Sequence, residues 1–329
     1  MERAPDKPAA RSQAETFGIE PSVYDRDIPE VIRSLGDALH RFEREAGEDD
    51  DIREEFAGVY PPAKIEADLA EVHRLERAYD KEDDLETKKN RLYAMVMELI
   101  VQDMAHEWFP DCVVWRASRF DDYKRQTDLF MDIPDPEGGW LTIALDVTVS
   151  REAAAKKMSN VLDELDRGRF HDVDYFASDI DPGRSKGRAF MPRFIVGASR
   201  GGVASLARLY GQWRRHGPNV GSRTKEQDLD KLRFHQVGDE LYHELIGQAD
   251  YGHGSMRELL KETPTYQETK RTALKSQASY LGKVHKELKR RLKELERQTA
   301  TYQKANGPVP ANEVPPPNGV LEAIQQRAA

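Results

Sequence analysis

Residues 120–150 have the sequence FDDYKRQTDLFMDIPDPEGGWLTIALDVTVS. Two apolar runs flank the segment PDPEGG, whose prolines and glycines are typical of a turn, so the stretch predicts a β-hairpin. In the first run, Asp128 and Asp132 share one face. In the second run, Asp146 lies on a face of small residues, and the opposite face is aliphatic. A carboxylate in such a strand costs several kcal/mol unless a hydrogen-bond donor, a cation or a metal compensates it.

The segments around this hairpin predict the rest of a core domain over residues 85–216. Their apolar spacing predicts helices over 85–109, 151–167 and 203–213, and short strands over 112–117 and 193–198. Up to the last strand the predicted order is therefore α-β-β-β-α-β. This order predicts an α/β fold with a mixed central sheet flanked by helices.

Additions to the core are expected on both sides. Residues 1–27 are rich in proline, alanine and charge and predict a disordered leader, whereas residues 28–84 predict an acidic helical region with a loop at the GEDDD segment. Residues 217–304 predict a helical region, with helices over 229–246 and 255–260 and a long basic helix over 265–304. Residues 305–329 form a proline-rich tail.

The long C-terminal helix has a narrow apolar stripe, which suits a hairpin or a coiled-coil partner better than a deep core. Its segment KELKRRLK, from Lys286 to Lys293, is dense in cations. Two interpretations remain open for it: an arm that holds nucleic acid or forms a homodimer, and a solvated helix stabilised by ion pairs.

Composition limits the class of protein. The formal net charge is −9, which argues against a protein that coats nucleic acid uniformly, yet acidic residues predominate in residues 1–90 and basic residues in 261–304. The single cysteine, Cys112, excludes an intrachain disulfide and a cysteine zinc site, and fits a reducing compartment. No segment has the apolar length of a signal peptide or a membrane span, so we expect a cytoplasmic protein without a membrane partner.

The predicted helix with Glu98, the acidic strand with Asp128 and the LDVT strand with Asp146 resemble, in this order, the PD-(D/E)XK nuclease superfamily. That superfamily includes restriction endonucleases and Holliday-junction resolvases, and the resemblance covers about residues 87–213. It implies a restriction-endonuclease-like fold and a metal-dependent endonuclease that hydrolyses DNA phosphodiester bonds, with a role in restriction or defence. It also implies that Glu98, Asp128 and Asp146 hold Mg²⁺ or Mn²⁺, for which oxygen ligands are suited. The spacing alone leaves a second interpretation open for Glu98, in which it lies on a solvent-facing edge of its helix.

The chain departs from this superfamily at Thr148, where a lysine is expected. In lysine-migrated variants, the amine comes from a neighbouring element, commonly the next helix. Lys157, at the flank of the apolar face of that helix, is the first candidate, and Lys156 is the second. Arg125 is an alternative that would hold a phosphate through its fork of donors. Without such a cation, the domain would be a catalytically inactive nuclease-fold module that binds nucleic acid or protein. In a third alternative, the chain is an interaction protein that works through its long C-terminal helix.

Two further motifs allow a functional and a structural interpretation. The segment GASRGGVASL, residues 197–206, predicts a tight turn before a helix, or a phosphate site at the helix N-terminus. Glu240, His243 and Glu244 share a predicted helix, with His253 nearby, and are either surface residues or metal ligands.

Overall fold

The computed structural model describes residues 28–45, 49–82, 84–178, 180, 186–216 and 225–306. The predicted leader lies outside these residues, and so does the tail from residue 307 onward. The helices are α1 (Glu30–Arg33), α2 (Gly36–Glu45), α3 (Asp49–Glu55), α4 (Pro62–Glu82), α5 (Leu85–Trp108), α6 (Arg151–Asp166), α7 (Arg200–His216), α8 (Lys225–Glu262) and α9 (Glu268–Asn306). The strands are β1 (Val113–Arg116), β2 (Leu129–Pro134), β3 (Trp140–Thr148), β4 (His171–Phe176), β5 (Gly187–Met191) and β6 (Arg193–Gly197), and a π-helical turn spans Asp121–Arg125. None of the helices in these ranges combines the length and apolar character that a bilayer crossing requires.

The central sheet has four strands in the order β1-β2-β3-β6. β1, β2 and β3 run antiparallel, whereas β6 is parallel to β3. The predicted mixed α/β class with helical flanks is therefore confirmed. β4 and β5 form a separate two-stranded antiparallel sheet between α6 and β6, which the sequence prediction missed. β4 has the sequence HDVDYF, and its two aspartates are residues that strands disfavour.

The two faces of the β2–β3 hairpin are as predicted. The aliphatic face joins the main hydrophobic cluster through Leu129, Met131, Ile133, Leu141, Ile143 and Leu145. The other face contributes Phe130 and Ala144 to a small cluster with Val173, Phe176 and Met191 of the β4–β5 sheet. The small-residue face of β3 is therefore covered by β4 and β5, and Asp146 on that face is buried.

α8 and α9 form a long helical hairpin that packs against the sheet. The break predicted between residues 246 and 255 is wrong, because α8 is continuous through all three glycines of that segment. A Cβ atom at Gly252 would lie 3.1 Å from the side chains of Leu165 and Leu281, so the glycine allows close packing against α6 and α9. Tyr280 of α9 hydrogen-bonds the backbone of Thr142, accepting from its nitrogen at 2.5 Å and donating to its oxygen at 2.8 Å.

The apolar stripe of α9 is buried within the chain. Its members belong to the main hydrophobic cluster: Leu274, Leu281, Val284, Leu288, Leu292 and Leu295. The hairpin alternative is therefore confirmed, and the stripe that suggested a homodimer is already covered. The expectation that it would avoid a deep core is wrong.

The N-terminal helices pack onto the core at two places. α1 and α2 join the main cluster, whereas α3 and α4 form a second cluster with Phe120 and Tyr175. The loop predicted at GEDDD is wrong in its last residues, because α3 begins at Asp49. Asp49 lies at the positive end of the helix dipole and pairs with Arg119 at 2.9 Å and His73 at 2.7 Å, so acidic residues are favourable there.

Candidate functional site

Asp146 and Lys157 form a contact between β3 and the helix that follows it. Asp146 is completely buried, and its Oδ1 accepts a hydrogen bond from Lys157 Nζ. Lys157 Nζ also donates to the backbone oxygen of Val147 at 3.2 Å. α6 starts directly after β3 with Ser150 as its N-cap, so its second turn passes over the end of the strand. Lys156, the other candidate, is exposed.

Asp128 lies beside Asp146 on the neighbouring strand. The sequence prediction placed it inside the strand, but β2 begins one residue later. Its backbone nitrogen donates to Leu145 at 2.9 Å, which continues the ladder, and its Oδ2 accepts from the Val147 nitrogen at 2.5 Å. The side chain of Asp128 is therefore held at the end of β3 next to Asp146. Asp132, four residues further on, instead accepts hydrogen bonds from Thr142 and Ser178.

Asp122 is a member of this acidic cluster that the sequence prediction missed. It lies in the π-helical turn, and its carboxyl group hydrogen-bonds that of Asp128. Burial and the charge of Asp128 raise the pKa of Asp122 well above its ordinary value. The turn is anchored by Asp121, which accepts from the backbone nitrogens of Asp174 at 2.7 Å and Tyr175 at 2.8 Å. Because π-helical turns have no spacing signature in the sequence, only their frequent occurrence at functional sites points to this residue.

Glu98 approaches the same cluster from α5. It is 8% exposed, so the solvent-facing alternative is wrong. Burial and the charge of Asp128 raise the pKa of Glu98 to about 8, although the nearby Arg116 and Lys157 act in the opposite direction. Arg116 NH2 lies 3.6 Å from Glu98 Oε2, and Arg116 NH1 donates to the backbone oxygen of Phe42 at 3.0 Å. Helix α2 therefore holds the arginine that faces Glu98.

The cluster has the donor set of a divalent-cation site. Its four carboxyl groups belong to Glu98, Asp122, Asp128 and Asp146. Burial and the charge of Asp128 raise the pKa of Asp146 to about 7, even with Lys157 in contact. Asp146 Oδ2 accepts no hydrogen bond from any residue that the structure describes. Arg193 NH1 is 3.7 Å from this oxygen, beyond hydrogen-bond reach. Buried carboxylates that repel one another and leave an oxygen unsatisfied fit Mg²⁺ or Mn²⁺ well.

A second group of possible metal ligands lies elsewhere, between α8 and α9. Within the described ranges, Asp239, His243 and Glu296 are the group in which three ligand atoms all lie within 4.8 Å of one another. The ligand atoms of the predicted trio, Glu98, Asp128 and Asp146, do not all lie within 4.8 Å of one another. In the metal-ligand interpretation, His243 would act with Glu240, Glu244 and His253. Its neighbours in the structure are instead Asp239, one turn earlier on α8, and Glu296 of α9. His243 is 54% exposed in its side chain, so this second group resembles ordinary surface charge.

The remaining predicted candidates have structural roles. Arg125 donates to Asp174 Oδ2 at 2.6 Å and 2.8 Å, which satisfies the buried aspartate of β4. In the glycine segment, Ser199 Oγ accepts from the Gly202 nitrogen at 3.1 Å, as in an ordinary helix N-cap. The tight turn is therefore the better interpretation of that segment.

Comparisons of the chain with protein-family models, with curated proteins and with solved structures found no match. The contact of Lys157 with the buried Asp146 is the feature from which a function is inferred.

Proposed function

We propose that this protein is a metal-dependent endonuclease that hydrolyses phosphodiester bonds of DNA. The observation that carries the proposal is the contact between Lys157 and the buried Asp146, because it brings an amine to the acids although Thr148 occupies the usual lysine position. The arrangement supports a lysine-migrated variant of the PD-(D/E)XK type.

The order and pairing of the core elements agree with that resemblance. A long helix precedes three antiparallel strands, and a second helix then leads to a fourth strand that is parallel to the third. The β4–β5 sheet is an insertion between that helix and the last strand. The acids come from α5, from the start of β2 and from near the end of β3, so the site lies where these elements meet.

The proposed cofactor is Mg²⁺ or Mn²⁺, held by Asp146, Asp128 and Glu98. When bound, such an ion offsets negative charge on the scissile phosphate and lowers the pKa of an attacking water. Asp122 orients Asp128 through the hydrogen bond between their carboxyl groups. Arg116 and Arg193 balance part of the remaining charge from either side of the cluster.

Lys157 acts as a hydrogen-bond donor rather than as a base. Burial alone would lower its pKa, but the charges of Asp146 and Asp128 and the hydrogen bond to Asp146 raise the pKa of Lys157 above its ordinary value. The side chain is therefore an ammonium group at neutral pH. Two of its three donors bind Asp146 and the Val147 oxygen, which leaves one for a water or a phosphate oxygen.

A cleavage assay tests this proposal. Plasmid DNA and oligonucleotides are incubated with Mg²⁺ or Mn²⁺, and we expect cleavage that EDTA abolishes. Asp146→Asn and Asp128→Asn should each lower the rate at least about 100-fold, because each removes a charged ligand. Glu137→Gln, on the exposed turn of the same hairpin, is the matched control and should cleave like wild type. Equal cleavage by all four proteins, or none by wild type under any of these conditions, would overturn the assignment.

One observation favours a second candidate, the inactive nuclease-fold module that binds nucleic acid. Glu98, Asp128 and Asp146 are not gathered to within 4.8 Å, as a preformed three-ligand site would be. This candidate predicts DNA binding without cleavage and without Mn²⁺ binding that depends on Asp146. Calorimetric titration of Mn²⁺ into wild type and Asp146→Asn separates the two.

A further inference from the structure

A cleft of about 610 Å³ adjoins the acidic cluster. It lies between α6 and the β4–β5 sheet, and the turn before β2 closes one side. Arg193 links it to the site, because its NH1 is 3.7 Å from Asp146 Oδ2 and its NH2 is 3.4 Å from Glu164, another residue of the lining. None of the four acids lines the cleft, so a molecule in it would lie across Arg193 from Asp146. The volume is within the range of small-ligand pockets.

The lining of the cleft is positively charged although the chain as a whole is acidic. Its charged residues are two carboxylates, Glu164 and Asp172, and six cations, Lys124, Arg125, Arg167, Arg169, Arg188 and Arg193. Four of these cations form ion pairs: Lys124 with Glu71, Arg125 with Asp174, Arg188 with Asp172 and Arg193 with Glu164. The exposed Arg167 and Arg169 form no salt bridge with any carboxylate that the structure describes. Their charge is available to a phosphate, and a local excess of cations attracts a polyanion.

The cleft also contains aromatic rings. Phe190 of β5 is 60% exposed, an unusual position for a large apolar side chain next to so many charges. The guanidinium of Arg188 lies 5.3 Å from the centre of its ring. Phe170 lines the cleft as well and packs edge-on against Tyr280, with ring centres 5.8 Å apart. Exposed rings among cations are the arrangement on which unpaired bases stack.

We propose that this cleft binds an unpaired nucleotide of single-stranded DNA, with its base on Phe190 and its phosphate between Arg167 and Arg169. In a duplex the faces of each base are covered by its neighbours, so an exposed ring offers little to double-stranded DNA. The inference rests on the proposed nuclease function and names its substrate: a single strand, or an unpaired stretch next to the bond that is cut.

Binding without catalysis tests this inference. Fluorescence anisotropy in EDTA compares a labelled 20-nucleotide single strand with the blunt duplex of the same sequence. We expect the single strand to bind at least about 10-fold more tightly. Phe190→Ala should weaken single-strand binding roughly 5- to 100-fold, the loss expected for one stacked base. Tyr266→Ala, which removes an 82% exposed aromatic residue outside the cleft, should leave binding unchanged. Phe190→Leu keeps an apolar side chain without a stacking face and should weaken binding like Phe190→Ala.

Two results would overturn the inference. One is equal or tighter binding of the duplex, and the other is single-strand binding by both Phe190 variants that matches wild type. Its failure is distinguishable from failure of the nuclease proposal. If only the nuclease proposal is wrong, single-strand binding depends on Phe190 but DNA is not cleaved. If only the cleft inference is wrong, cleavage depends on Asp146 and is the same in Phe190→Ala as in wild type.

Discussion

Lys157→Met is expected to lower the rate of metal-dependent cleavage roughly 100- to 1,000-fold, the effect of removing one positioned donor from a reaction centre. Lys157 contacts Asp146 and keeps one donor free for substrate or water. Lys156→Met is the matched control, because it removes the same charge one residue away, from an exposed position. We expect it to cleave within about twofold of wild type, since an exposed charge contributes little. Steady-state cleavage of a fluorescent oligonucleotide measures both rates.

The same substitution separates a role in catalysis from a role in metal binding. Lys157→Met removes a positive charge beside the proposed ligands, so its affinity for Mn²⁺ should equal or exceed that of wild type. Removing one partner of a buried pair costs about 3–5 kcal/mol in stability, and thermal melting must therefore accompany the assay. Lys157→Arg keeps the charge and protects the fold, but its planar fork cannot reproduce the contacts of an ammonium group. Cleavage by both variants at the rate of Lys156→Met would contradict the role of Lys157.

The affinity for Mn²⁺ is expected to rise roughly 1,000-fold between pH 6 and pH 8.5, because ligands must lose their protons before they bind a metal. The pKa of Glu98 is raised to about 8 and the pKa of Asp146 to about 7, so both hold protons at pH 6 in the metal-free protein. Each proton that the metal displaces makes the affinity for Mn²⁺ rise by up to about tenfold per pH unit. Above pH 8.5 both groups are ionised and the affinity should level off.

The stability of the metal-free protein should change with pH in the opposite direction to its affinity for Mn²⁺. Raised carboxyl pKa values mean that the metal-free folded protein binds protons that the unfolded chain releases, so their stabilising effect is present at low pH. It is lost as pH rises through the folded-state values near 7 and 8.

The proton release on metal binding can be counted by calorimetric titration of Mn²⁺ in two buffers of different ionisation enthalpy. The number of protons released per bound ion should fall from pH 6.5 to pH 8.5. An affinity independent of pH would show that these carboxyl groups are not the ligands.

The sequence predicts those parts of the site that follow from regular periodicity. The period of two in β3 places Asp146 on the face opposite Leu145, and the helical period of α6 places Lys157 rather than Lys156 towards the strand. Because α6 follows β3 with only a short connection, these two periodicities already bring the side chains together. Glu98 stands out for a related reason, as the single charge within an apolar helical run.

Other parts of the fold depend on contacts between distant segments. Asp122 joins the cluster because a π-helical turn is anchored to β4 through Asp121, and no local spacing reveals that anchor. β4 itself tolerates the buried Asp174 because Arg125, 49 residues earlier, supplies its hydrogen bonds. The continuity of α8 through Gly252 likewise depends on the close approach of two other helices. Propensity alone fails at such positions, since tertiary packing overrides it.

Anomalous diffraction from a crystal grown with Mn²⁺ tests most directly whether the acidic cluster holds a metal ion. The predicted result is a peak next to Asp146 Oδ2 and a carboxylate oxygen of Asp128, at about 2.1 Å from each, the distance of a small octahedral cation. The peak should vanish in Asp146→Asn. A peak only at Asp239, His243 and Glu296, or no peak at the acidic cluster at saturating Mn²⁺ and pH 8.5, would contradict the proposed metal centre.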